Sequence, residues 1–269
     1  MAFKIGFISE PVRKSEEICA EPPKQITPRK SVVQVYFPAD HRTLAYYNDR
    51  FDLHRGDLVF VDGKLEGEQG RVVEVSYNFK IKLSDYRRVI AVADTAVHGQ
   101  FYAAGSHFIT FDRSALPAQK VRTWFLPPQK PEDEFASGAD DTVFPLSELK
   151  EMKVTAAVAD RGHDYYCRNL VRYISLSGHR GYAIVEGISP YEVEFTYKNG
   201  QIGGLVCSCF CGEHCKHEFA AMLQLKDILE QIEKKFKADY QRSDYFAAVY
   251  KGTLLDFAVD GKDDGTFTL

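Results

Sequence analysis

No run in the 269-residue sequence approaches the roughly 18 consecutive apolar residues that a membrane-crossing helix requires. The opening stretch MAFKIGFISEPVRK has neither the apolar core of a secretory leader nor a small-residue cleavage site. One-signed charge is also lacking. The sequence has 34 Lys and Arg against 38 Asp and Glu, a formal net charge of -4, so no global field draws the chain to nucleic acid or to an acidic lipid surface. Any such affinity must come from a local patch. Catalytic signatures are missing too: there is no G-x-x-x-x-G-K-S/T loop to cradle phosphates, no H-E-x-x-H helix, no G-x-S-x-G elbow and no G-x-G-x-x-G turn. The expectation is a soluble, cytoplasmic, non-enzymatic protein with no membrane partner.

What is present is ordinary in bulk and concentrated in one place. Hydrophobic residues make up 45% and charged residues 27%, enough to bury a core. Of six cysteines, Cys207, Cys209, Cys211 and Cys215 fall in one short segment, while Cys19 and Cys167 stand apart and read as ordinary thiols. That distribution belongs to a metal site in a reducing compartment and not to a disulfide framework.

Along the chain, residues 1–30 mix charges with four prolines and read as an irregular arm. From 31 to 125 come short β-branched and aromatic runs, VVQVYF, DLVFV, GRVVEVSY, FKIKL, RVIAVA and HFITF, broken by turn residues such as Asp62-Gly63 and Gly70. They predict an antiparallel, barrel-like β-domain of SH3-like form. Its G-D-x-V-x-V stretch resembles the small β-domains attached to some bacterial DNA-replication and regulatory proteins. Residues 126–153 turn acidic and Pro-containing and read as a linker. A second unit, 154–240, begins with strands in CRNLVRYISLSG, YAIVEGIS and YEVEFTYKNGQIGGLVC, where Asn199-Gly200 is a strong hairpin turn. It ends on a helix with Phe219, Met222, Leu225, Leu229, Ile232 and Phe236 along one face. Residues 241–269 form an extension whose apolar pieces YFAAVY and LLDFAV pack on the domain before the Asp/Gly-rich end frays. The fold class expected is therefore α+β: an N-terminal β-barrel-like domain and a C-terminal ββα zinc-binding domain.

The informative segment is Cys207-Ser208-Cys209-Phe210-Cys211-Gly212-Glu213-His214-Cys215-Lys216-His217. Zinc takes four N or S ligands in a tetrahedron, and two close pairs at the ends of a short turn can supply them. Residues two apart on a strand point to one face, so Cys207 and Cys209 can turn both sulfurs toward one ion while Ser208 faces away. Cys215 and His217 then close the set at the start of the helix, with the second ring nitrogen of His217 left for an outer acceptor. Two alternatives stay open: Cys211 can replace Cys207 or Cys209, and His214 can compete with His217. A filled four-ligand site has no position for substrate, so the Zn²⁺ is structural by coordination logic.

The C-x-C and C-x-H pairs, the helix beginning Glu218-Phe219-Ala220-Ala221-Met222-Leu223 and the strand pair containing GISPYEVEF resemble the SWIM zinc finger, over roughly residues 168–229. The resemblance implies a small ββα unit around one Zn²⁺ with Cys207, Cys209, Cys215 and His217 as ligands. It also implies DNA binding or protein interaction, in an accessory protein working beside a DNA-acting partner such as a Swi/Snf-type ATPase. The gap between Cys209 and Cys215 is shorter than the family's pattern. Lys and Arg of this unit alternate with Asp and Glu at similar density, so a mixed solvated surface is the plain reading of its charges. The rival to DNA contact is therefore a protein-protein adaptor without nucleic-acid affinity. Tyr182, Tyr191 and Tyr197 are available to stack on bases but read first as strand aromatics.

Overall fold

The computed structural model describes residues 28–129, 142–209 and 211–260, the last three without side-chain burial. The expected irregular arm up to residue 27, the middle of the acidic linker and the fraying end beyond residue 260 lie outside the described residues.

Five strands build the first sheet: β1 (Ser31–Phe37), β2 (Arg42–Asn48), β3 (Leu58–Val61), β4 (Gln69–Ser76) and β5 (Val89–Ala93). They run in the order β2-β1-β4-β3-β5, with every ladder antiparallel. In β1 the side chains alternate strictly, and Val33, Val35 and Phe37 enter a core with Tyr46, Leu53, Val59, Val61, Val72 and Val89. The sheet is open. Beside β2 the residues leading into β5 make the bridge of Tyr47 with Arg88 and the bond from Tyr47 N–H to Arg87 C=O (2.8 Å), but no ladder joins the two edges among the described residues, so the barrel expected from the sequence is replaced by an unclosed sheet. FKIKL is not a strand either: it leads into a short 3-10 turn over Leu83–Asp85.

The rest of the chain adds β6 (Tyr102–Ala104), β7 (His107–Thr110), α1 (Ala118–Arg122), β8 (Phe144–Pro145), α2 (Ala156–Cys167), β9 (Val171–Ser177), β10 (Arg180–Glu186), β11 (Pro190–Lys198) and β12 (Gln201–Cys207). After them come α3 (Lys216–Lys235), α4 (Lys237–Ser243), β13 (Tyr245–Tyr250) and α5 (Lys251–Asp260). Eight strands form the second sheet, antiparallel in the order β6-β7-β13-β9-β10-β11-β12-β8. HFITF is thus a strand, but it pairs with β13 and not with the first sheet. The β11–β12 turn is the one expected: Asn199 and Gly200 both have positive φ, 51° and 79°.

Both faces of β9, β10 and β13 are buried, as their near-continuous apolar runs require, whereas β11 alternates and leaves Glu194 and Thr196 exposed. Ile174, Leu176, Ala183, Val185, Val193 and Phe246 face α2 and α3 in one core. Tyr173, Ile184, Tyr245, Ala247 and Val249 face the other way, against Leu116, Val121 and Trp124 and against Leu58 and Ala93 of the first sheet. Trp124 fastens this contact: its indole N–H donates to Asp94 C=O (2.6 Å) and its carbonyl accepts from Gln69 Nε2 (2.7 Å). Among the described residues, no helix is long and apolar enough to cross a membrane.

Candidate metal centre

Cys207 ends β12 in register with Val193, on the face that packs against α3. The next residue, Ser208, turns the other way, as period-two alternation requires. Its N–H donates to Glu192 C=O (2.9 Å), and its Oγ accepts from Glu192 N–H (2.9 Å). This extra rung carries the β11–β12 ladder one step beyond the strand and holds Cys207 and Cys209 on a common side.

Cys215 caps α3. Its Sγ accepts from Glu218 N–H (3.5 Å), and the Glu218 carboxylate accepts from Cys215 N–H (2.8 Å), a reciprocal capping box with a thiol in the place of the usual hydroxyl. The same carboxylate oxygen meets His214 Nδ1 at 3.0 Å. Glu218 is therefore buried with partners, and His214 is engaged away from the cysteines.

These two anchors bring Cys207, Cys209, Cys215 and His217 together, with one donor atom of each within 4.8 Å of all the others. His217 Nδ1 lies 3.8 Å from Cys207 Sγ and 3.7 Å from Cys215 Sγ. In a tetrahedron with one zinc–nitrogen and one zinc–sulfur arm the N···S edge is about 3.6 Å, so these spacings suit an ion at the centre. Cys211 stays exposed outside the four. Cys167 is exposed at the end of α2, with its Sγ 3.5 Å from His163 Nδ1. Cys19 lies outside the described residues.

The His217 ring is held on both sides. Tyr191 stacks on it (centroids 4.2 Å apart, 22° between planes), and Tyr165 of α2 meets it edge-on at 5.4 Å. Its other nitrogen, Nε2, is buried without a hydrogen-bond partner among the described residues. None of the described residues supplies the outer acceptor expected from the sequence. The packing fixes the ring so that Nδ1, not Nε2, points at the sulfurs.

The thiols of the cluster compete for their protons. The Cys215 thiol is drawn down, first by the hydrogen bond from Cys207 and then by those from His217 and Glu218 N–H. Cys207 moves the opposite way, chiefly because it shares its proton with Cys215 and is buried, and burial pushes Cys209 up. One thiolate is readily formed, and two more beside it are opposed by charge and desolvation. A divalent ion removes that opposition, and thiolate sulfur with imidazole nitrogen is the donor set of zinc. The residues present fit the ion.

Sequence alone did not point to Tyr165, Tyr191 or Glu192 as supports of the site. Glu218 had a usable signal, since Glu three residues after the capping residue is the capping-box spacing.

Taken together, the chain is an α+β protein of two open antiparallel sheets carrying a Cys₃His cluster able to hold a metal ion. No family model, no curated protein and no solved structure matches it.

Proposed function

We propose that this protein is a non-enzymatic zinc protein in which one Zn²⁺ on Cys207, Cys209, Cys215 and His217 ties the end of β12 to the start of α3. The observation that carries the reading is the convergence of three sulfurs and one ring nitrogen from two elements around a common centre. With four protein donors the ion is structural: it supplies cross-linking, and no coordination position is left for substrate. The SWIM resemblance supports placing the chain among DNA-transaction accessory proteins, acting beside a DNA-acting partner such as a Swi/Snf-type ATPase.

The charge pattern favours contact with that protein partner over contact with DNA itself. Arg168 pairs with Asp164, Arg172 with Glu186, Lys234 with Glu230 and Lys237 with Glu233, so four cations around the zinc unit already face carboxylates. Phosphate recognition needs such groups clustered and available.

Elemental mass spectrometry on untagged protein tests the reading, with mixed-sequence DNA binding measured on the same samples. The expected result is about one zinc per chain, lost in Cys207→Ser, Cys209→Ser, Cys215→Ser and His217→Ala and kept in Cys211→Ser, with no salt-dependent DNA binding. Folded wild-type protein without zinc would remove the proposal. Salt-dependent binding that is lost on charge reversal at Arg168 and Lys198 would move the partner from protein to DNA.

A further inference from the structure

The metal cluster lies on the α3 face of the second sheet, yet its position is fixed partly from the opposite face. Arg122, the last residue of α1, reaches Glu192 with both arms of its guanidinium: Nε to Oε1 at 2.9 Å and Nη2 to Oε2 at 3.2 Å. Tyr182 Oη donates to the same Oε1 at 2.7 Å, and Arg122 Nη1 donates to Pro127 C=O at 2.9 Å. The two side chains are only 12% and 20% exposed. A pair so far from water costs free energy unless other groups also meet it, and here the Tyr182 hydroxyl and the Pro127 carbonyl do so. The backbone of this same Glu192 makes the two bonds to Ser208.

We propose that Arg122 and Glu192 are positioning residues for the metal centre: they pin the last rung of the β11–β12 ladder and so hold Cys207 and Cys209 in ligating register. The proposal rests on the metal-binding reading above. A ladder end frays when nothing holds its last residue, and here the chain leaves the ladder between two of the four donors. Tyr182 and the bidentate arginine hold Glu192 against rotation, and Ser208 transmits that constraint to the residues on either side of it. Outer residues that orient metal ligands typically change metal affinity by about tenfold or more when they are lost.

The test is zinc affinity of the full chain, by competition with a chromogenic chelator, for wild type, Arg122→Met, Arg122→Lys and Glu192→Gln. Ile174→Val, a core change on the α3 face, controls for general destabilisation. Affinity is expected to fall about tenfold in Arg122→Met and Glu192→Gln. It should fall less in Arg122→Lys, which keeps the charge but loses the fork. In Ile174→Val it should stay near wild type. Should Arg122→Met fail to fold, the near-isosteric Glu192→Gln carries the comparison. Equal affinity across the set, or a loss no larger than that of Ile174→Val, overturns the positioning role. Folded wild type that takes up no zinc instead overturns the metal reading beneath it.

Discussion

His107 has its ring wholly inside the protein, between strands and away from the metal cluster. Nε2 lies 2.9 Å from Val171 C=O and Nδ1 3.0 Å from Ser106 Oγ, so the neutral ring satisfies both neighbours by donating from Nε2. Burial is the main cause that brings its pKa down to about 4, with Lys251 and Arg172 adding to it. An imidazole neutral in the fold but protonated in the unfolded chain contributes stability above about pH 6.5, and that stability is lost as pH falls toward 4. The full effect is on the order of 3 kcal/mol. Urea denaturation of wild type between pH 7 and pH 4.5 should show a falling midpoint, and a His107→Gln variant should show a flatter dependence on pH. At this scale the sequence was informative where chemistry is dense and silent where it is diffuse. Four donors packed into eleven residues announce themselves. Tyr191 and Glu192 support the same site as ordinary members of a strand, and no local pattern separates them from Tyr197 or Glu194.

Among the elements, α2 shows how packing admits a helix that composition hides. AAVADRGHDYYC has no Leu, Ile, Met or Phe and carries a glycine, and no helix was expected there. Thr155 caps it by accepting from Val158 N–H, and Gly162 lets it press on α3. A Cβ on Gly162 would lie 2.8 Å from the Phe219 side chain and 3.0 Å from Lys216 C=O, and that backbone oxygen cannot step aside. Gly162→Ala gains about 1 kcal/mol in helix propensity but overpacks this contact. The expected net change is a destabilisation of about 1 kcal/mol, read as a lower urea midpoint at unchanged slope. The same contact explains α3: Phe219 and Leu229 are only partly buried, and Ala221, Met222, Leu225, Ile228 and Ile232 form the covered stripe. The expected face was close but rotated, because helix α3 packs on a sheet and on a second helix at once. FKIKL misled in the opposite sense, as alternating apolar residues make a strand only where a neighbouring edge is available to pair.

Over the whole molecule, the sequence divided the chain at its acidic stretch, and hydrogen bonding within each sheet cannot be read from such composition. The core around Trp124 contains Leu58 and Ala93 of the first sheet together with Tyr173, Ile184 and Tyr245 of the second. The hydroxyls of Tyr173 and Tyr245 both donate to Leu116 C=O, at 2.7 and 3.1 Å, which holds the α1 segment over that face. Trp124, the only tryptophan, therefore reports on both sheets. Its fluorescence and the far-ultraviolet circular dichroism should change at the same urea concentration, as expected of one cooperative unit. Separate transitions would show that this shared core does not couple the sheets.

The place of β13 bears on how the protein is made. This late strand lies between β7 and β9, so it fills the middle of a sheet whose other members all precede it in the chain. A ribosome releases the flanking strands first, at about 5–20 residues per second. Until Tyr250 has emerged, β7 and β9 wait with facing edges unpaired, and bare edges of that kind invite wrong partners. Nascent chains of this protein thus pass through a vulnerable interval that closes only when the sheet receives its missing centre.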